Sequence, residues 1–134
     1  MSMAWNETLS IGNNYIDNQH KELFDKFNDL LQACKEARGK ERIGQLLQFL
    51  DSYVNTHFRA EECLMMDCNY AEITDHKKEH EEFICSLAKL KKDLLLEGTT
   101  LGLIVQTNQI LLKWIVRHIK SSDRALGDYL QRVQ

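Results

Sequence analysis

The sequence predicts an all-α protein, an antiparallel up-down-up-down four-helix bundle with an N-terminal arm and a short C-terminal helix. Four segments repeat apolar residues at the spacing that places them along one face of an α-helix. No proline interrupts these segments, so no backbone donor is lost inside a long helix. The connections between the segments are short, which favours antiparallel neighbours. We expect one domain over residues 1–134, with an arm (1–17), a bundle (18–120) and a C-terminal segment (121–134).

The first predicted helix runs from about Asn18 to Ala37, with Asp17 as its N-cap. Its inward stripe consists of His20, Phe24, Phe27, Leu31 and Cys34. After a break at Gly39, the second predicted helix runs from about Glu41 to Met66. Its inward stripe consists of Leu46, Leu50, Val54, His57, Glu61 and Leu64.

The third predicted helix runs from about Ala71 to Leu96, and its inward stripe consists of His76, His80, Phe83, Leu87, Leu90 and Leu94. The fourth runs from about Leu101 to Ile119, with Leu111, Trp114, Ile115 and His118 facing inward. A terminal helix is predicted from Asp123 to Val133. The arm shows no clear period, and we expect it to pack along the outside of the bundle.

Composition excludes several classes of function. The net charge is −3 and no basic block is present, so the sequence predicts no nucleic-acid partner. No apolar run approaches the roughly 20 residues of a membrane span, and the N-terminus lacks the pattern of a signal peptide. The four cysteines form no C-x-x-C pair, which fits reduced thiols in the core or at the surface and leaves a soft-metal or redox role as the weaker alternative. We therefore expect a cytoplasmic protein that does not contact a membrane.

The five histidines carry the functional signal, because each lies on the apolar stripe of its helix and each of the four helices contributes at least one. His57 and Glu61, like His76 and His80, are four residues apart and share a helix face. A single inward histidine is more often a hydrogen-bonded core residue than a ligand. Five of them beside a glutamate would leave several buried polar groups without partners, at a high desolvation cost. A metal centre satisfies all of them together.

Asp123 is harder to place, because it follows His118 by five residues. That step separates two side chains by about 140° around an ideal α-helix. Asp123 joins His118 only if the helix ends or loosens near Ser121 and Ser122, whose hydroxyls compete for backbone hydrogen bonds.

The ligand set indicates a dinuclear site. Imidazole suits Zn, Cu, Fe and Ni, whereas structural zinc is satisfied by four ligands and usually recruits thiolate. Seven ligands are too many for one tetrahedral ion but suit two ions that share carboxylates, with iron as the best match.

The ordered motifs Ile16-Asp17-Asn18-Gln19-His20, His57-x-x-x-Glu61, His76-x-x-x-His80 and His118-x-x-x-x-Asp123 resemble the hemerythrin family, and within it the single-domain bacteriohemerythrins. The resemblance spans nearly the whole chain. It implies two iron ions (Fe2+/Fe3+) bridged by Glu61, Asp123 and an oxo or hydroxo group.

By the same resemblance, one iron is six-coordinate with His76, His80 and His118. His20 and His57 hold the other iron, which keeps a position open for O2 in the deoxy state. Ile115 and Ile119 flank His118 and are candidates to line the O2 pocket, although buried isoleucine is most often ordinary core.

The function that the resemblance implies is reversible O2 binding for transport, storage or delivery to an intracellular oxidase, with NO or small anions such as azide as further ligands. Five imidazoles and two carboxylates differ from the carboxylate-rich di-iron sites, so we expect a carrier with no catalytic residue rather than an enzyme. Two alternatives remain: a di-iron enzyme acting on peroxide, NO or ferrous iron, and an O2 or redox sensor module. We disfavour the sensor because the chain carries no output domain or long linker. The sequence leaves the oligomeric state open.

Overall fold

The structure is a computed structural model that describes residues 5–133, and within that range every regular element is helical. Four long helices form the bundle: α1 (Asn14–Lys35), α2 (Gly39–Asp67), α3 (Ile73–Glu97) and α4 (Leu101–His118). The arm contains a single 3-10 turn (Glu7–Leu9), and a π-helical turn (Ile119–Asp123) joins α4 to the terminal helix α5 (Arg124–Val133). The predicted fold class is confirmed.

The start of α1 differs from the prediction that Asp17 is its N-cap. The helix begins at Asn14 because the side chain of Asn13 accepts a hydrogen bond from the backbone N–H of Ile16. Asp17 lies one turn further on and is buried, and its carboxylate accepts from the Ile11 N–H (3.0 Å) and the Ser10 hydroxyl (2.6 Å). Asp17 therefore fastens the arm onto α1.

The other helix boundaries lie within two residues of those predicted. α2 begins at Gly39, two residues before the predicted start, and α3 begins at Ile73, two residues after it. The α3–α4 connection contains Gly98, whose φ of 85° is a conformation that favours glycine. Thr100 then caps α4 by accepting from the Leu103 N–H.

The predicted inward stripes form most of the core. Phe24, Phe27, Leu50, Phe83 and Leu111 are fully buried between the four helices. The expected inward positions Cys34, Val54, Leu64 and Trp114 are only half-buried. Tyr53, Phe58 and Met65 on α2 are buried as well, so α2 buries a broader face than its predicted stripe.

A second apolar cluster holds α5 in place. Met65 and Tyr70, at the end of α2 and just beyond it, pack with Leu126 and Leu130 of α5. The arm passes over the other side of α5, where Gly127 is buried against the Ile11 backbone. None of the helices within residues 5–133 is both long and apolar enough to cross a membrane.

Candidate metal centre

The seven predicted ligand residues meet inside one end of the bundle, and each of them is at most 3% exposed. Helix periodicity places most of them. His57 and Glu61 lie one turn apart on the inner face of α2, as do His76 and His80 on α3. His20 comes from α1, so all four helices contribute to the cluster.

The π-helical turn brings Asp123 to the same place. Hydrogen bonds in a π-helix join residues five apart, so such residues return to nearly the same face. Asp123 Oδ1 accordingly lies 3.0 Å from His118 Nε2. The predicted loosening of the helix near Ser121 is confirmed, and the Ser121 hydroxyl donates to the carbonyl of Arg117 (2.7 Å) within it.

The seven side chains form two overlapping groups, each with ligand atoms that lie within 4.8 Å of one another. The three-histidine group consists of His76, His80, His118, Glu61 and Asp123. The two-histidine group consists of His20, His57, Glu61 and Asp123. Both carboxylates belong to both groups.

Glu61 divides its two oxygens between the groups. Its Oε1 lies 3.0 Å from His80 Nε2 and 3.4 Å from His76 Nε2. Its Oε2 lies 3.2 Å from His57 Nε2 in the two-histidine group. An oxygen offered to each group is the arrangement that a bridging carboxylate needs.

Asp123 divides its oxygens in the same way. Its Oδ1 lies 3.1 Å from His76 Nε2 and 3.0 Å from His118 Nε2. Its Oδ2 lies 3.1 Å from His20 Nε2. Each carboxylate therefore links the two groups, Glu61 from α2 and Asp123 from the π-helical turn.

Several nitrogen and oxygen atoms of the cluster are better suited to bind metal ions than to hydrogen-bond with one another. Glu61 Oε2, both Asp123 oxygens and the Nε2 atoms of His76 and His118 are buried without a hydrogen-bond partner. Such groups are costly to leave unsatisfied. Two donors at right angles around a first-row ion, each ~2.1 Å from it, lie ~3.0 Å apart, which is close to the distances found. The donor set of imidazoles and carboxylates, without thiolate, suits iron.

Opposite charges accumulate in the metal-free site. Burial by itself raises the pKa of the Glu61 and Asp123 carboxyls, but the neighbouring imidazoles hold both pKa values well below their usual range. Burial lowers the pKa of His76, yet its contacts with Asp123 and Glu61 raise that pKa to about 9. The pKa of His118 is raised for the same reasons. Protonated imidazoles thus neutralise the carboxylates where a metal would otherwise do so.

A second ring of polar residues orients three of the histidines through their Nδ1 atoms. His80 donates to Glu62 Oε2 and His118 donates to Glu79 Oε1, both at 2.9 Å, while His57 donates to Gln19 Oε1. The hydrogen bond from His118 lowers the pKa of Glu79 to about 2. These partners could not be predicted from the sequence because each lies on a different helix from its histidine.

Aromatic rings cover the outer faces of the same three histidines. Phe58 stacks on His80 with ring centroids 3.9 Å apart, and Trp114 stacks on His118 at 4.6 Å. Tyr53 stacks on His57 at 4.6 Å. The stacked rings restrict the imidazole planes and contribute to the burial of the three histidines, each at most 3% exposed.

The two predicted O2-pocket residues, Ile115 and Ile119, are buried on either side of His118 and belong to the main apolar core. Their position is compatible with an apolar wall beside the cluster. That they line a pocket for O2 stays a prediction.

Comparison with known sequences identifies relatives of this chain. Residues 12–130 match the family model described as the hemerythrin HHE cation binding domain. A bacteriohemerythrin of Pseudomonas aeruginosa is 32% identical over 128 residues, covering 94% of this chain and 80% of the relative. A bacteriohemerythrin of Methylococcus capsulatus is 32% identical over 130 residues, covering 96% of both chains. A hemerythrin-like protein of Naegleria gruberi is 33% identical over 119 residues, covering 89% of this chain and 86% of the relative.

Proposed function

The chain belongs to the hemerythrin family, and from that premise we propose that it binds O2 reversibly at a pair of iron ions. The observation that carries the proposal is the unequal pair of ligand groups that share Glu61 and Asp123. A pair of ferrous ions held by these side chains would supply the two electrons for a reversible reduction of O2.

The donor count supports an open position on one side only. The three-histidine group offers five side chains and the two-histidine group offers four. With one further oxo or hydroxo donor on each side, the three-histidine group would complete the six ligands that iron prefers. The two-histidine group would leave one position open, and we assign O2 binding to that side, held by His20 and His57.

The surroundings of the cluster favour release of O2 over irreversible oxidation. Phe58, Trp114 and Tyr53 cover three imidazoles and exclude water from the site. Ile115 and Ile119 provide apolar surface beside His118, and we propose that they line the O2 pocket. A dry site slows the protonation steps that lead to permanent oxidation.

The ligand charge supports a carrier over an oxygenase. Five imidazoles and two carboxylates bring less negative charge than the four-glutamate sites of carboxylate-rich di-iron proteins. Less anionic charge stabilises high-valent iron less well, so we propose that the site does not act as an enzyme. NO and small anions such as azide would compete for the same vacant position.

We propose a cytoplasmic role in storing O2 or delivering it to an oxidase. The four cysteines support this proposal, since all of them are free thiols in the structure. Free thiols persist in reducing compartments.

The test is repeated oxygenation of the iron-loaded protein. The purified chain is loaded with Fe2+ under argon, its iron content is measured, and its ultraviolet–visible spectrum is recorded while O2 is admitted and then removed. We expect two irons per chain and a charge-transfer spectrum that appears and disappears over several cycles. Zinc-loaded protein is the control and should show no change.

Two results would contradict the proposal. Protein that retains no iron would exclude a metal centre altogether. Oxidation in one direction, with turnover of added peroxide or NO, would instead indicate a di-iron enzyme.

A further inference from the structure

We propose that Gln19, Glu62 and Glu79 widen the difference in metal affinity between the two positions, so that the three-histidine position binds metal more tightly than its extra histidine alone would provide. This inference rests on the proposed function only in assuming two bound ions. It assigns a positioning role to residues that do not touch the metal themselves.

The inference rests on a chemical difference between the residues that accept hydrogen bonds from the histidine Nδ1 atoms in the two groups. In the three-histidine group, the partners of His80 and His118 are the carboxylates of Glu62 and Glu79. In the two-histidine group, the partner of His57 is the neutral amide of Gln19. The remaining histidine of each group has a buried Nδ1 without a partner: His20 in one and His76 in the other. Besides the number of histidines, the two groups therefore differ in the charge of these partners.

Glu79 is held in place by a contact of its own. The Ser122 hydroxyl donates to Glu79 Oε2, while His118 donates to Glu79 Oε1. Ser122 lies in the π-helical turn, directly before Asp123. The turn that delivers a bridging carboxylate thus also orients the partner of His118.

The charge of the partner changes how strongly the imidazole binds metal. A carboxylate that accepts the Nδ1 proton raises electron density at Nε2 and makes that nitrogen a better donor, and loss of such a partner typically weakens metal affinity 10–100-fold. A neutral amide orients the ring with a much smaller effect. The three-histidine position gains two charged partners, whereas the two-histidine position gains none.

Donor strength also affects O2 release, because it sets how well Fe3+ is stabilised. With iron bound, a position with weaker donors would stabilise Fe3+ less. An electron given to O2 by the iron at the two-histidine position would then return to that iron more readily. Neutral Gln19 on that side therefore favours release of O2.

Stepwise titration with Co2+ under argon tests the inference without O2. Six-coordinate Co2+ absorbs weakly and five-coordinate Co2+ absorbs more strongly, so the order of filling is visible in the spectrum. We expect the native chain to fill a weakly absorbing position first and a strongly absorbing one second. Glu79→Gln keeps the hydrogen-bond acceptor but removes its charge, and we expect it to weaken the first step about 10-fold and leave the second unchanged. Glu62→Gln should do the same from another helix.

The reverse exchange and a matched control sharpen the test. Gln19→Glu should strengthen the second step about 10-fold and bring the two steps together. Glu82→Gln removes a charge from an exposed position on α3 and should change neither step. Circular dichroism checks that each variant is folded. If Glu79→Gln does not fold, Glu62→Gln provides the same test.

Equal weakening of both steps by Glu79→Gln and Glu62→Gln, or no weakening, would overturn the inference. These outcomes are independent of oxygenation. Ordered Co2+ filling in a chain that never binds O2 would refute the proposed function alone. Reversible O2 binding with unchanged Co2+ steps in the variants would refute the inference alone.

Discussion

Glu61 combines complete burial with contacts to both ligand groups. It is fully buried, it lies within 3.4 Å of three imidazole nitrogens, and it belongs to both ligand groups. One residue therefore decides whether either metal position is complete. Its replacement should affect both ions rather than one.

We expect Glu61→Gln to reduce the iron content below two per chain while leaving the helical fold intact. Glutamine preserves the volume and one oxygen, but it cannot offer two anionic oxygens to two ions. Iron analysis after loading and desalting checks this, with the exposed Glu82→Gln as the charge-matched control. Two retained irons in the Glu61 variant would refute the bridging role.

The raised pKa of His76 predicts that metal binding releases protons. In the metal-free protein this pKa is about 9, whereas an unfolded chain has a histidine pKa of about 6.5. The contribution of this proton to stability is fully present below pH ~6.5 and is lost as the pH rises through about 9. Metal and proton compete for the same nitrogen, so binding expels the proton.

Adding Zn2+ to weakly buffered protein at neutral pH should acidify the solution, as reported by an indicator dye. We expect about two protons per chain near pH 7.5, from His76 and His118, and fewer above pH 9. Removal of zinc with a chelator should leave a metal-free protein that loses stability as the pH rises over the same range. Metal binding without proton release at pH 7.5 would show that these histidines are neutral in the metal-free protein.

Among the helical elements, the π-helical turn sets the orientation of both the Asp123 side chain and α5 relative to α4. Insertion of one alanine after exposed Lys120 would place Asp123 six residues beyond His118, a step that leaves the two side chains about 120° apart around an α-helix. We expect the variant to lose two-metal loading and to become less stable, because Leu126 and Leu130 leave their apolar cluster. Lys120→Ala keeps the turn and should retain both metals. Native iron content in the insertion variant would contradict this account.

Two glycines offer a matched pair for the packing of α5. A methyl group at Gly127 would overlap the backbone of Ile11, whereas one at exposed Gly44 on α2 meets nothing. We expect Gly127→Ala to lower the free energy of unfolding by about 1–3 kcal/mol. Gly44→Ala should raise it by about 0.5–1 kcal/mol, since alanine is the better helix former. Urea denaturation measures both, and equal effects would show that the arm is not packed tightly on α5.

The helices themselves could be predicted from the sequence, because a 3.6-residue apolar period over more than twenty residues leaves little choice of structure. Their ends were less certain. Asp17 and Asn13 are both good N-cap residues, and only the path of the arm shows that Asp17 accepts bonds from Ser10 and Ile11 instead. The need for a distorted turn before Asp123 followed from helix geometry, but its π form did not.

For the whole molecule, the bundle separates its polar and apolar interiors. The predicted ligands fill the end where α1 and α3 begin, and the other end is packed with leucine and phenylalanine. The five histidines and Glu61 of this cluster could be predicted to lie inside the bundle because each lies on an apolar stripe where a polar residue stands out. Glu62 and Glu79 could not, since a half-exposed acid resembles any other surface acid until the neighbouring helix is in place.

The contact between the arm and α5 also determines where a label can be attached without lying near the ligand cluster. Arg124 donates to the backbone of Thr8 and Ser10, so the first and last described segments lie side by side, next to the metal-bearing end. A dye attached at exposed Thr8 or Ala125 would therefore sit on the side of the ligand cluster. The exposed loop around Gly98 is at the far end, and a label placed there would lie away from the cluster.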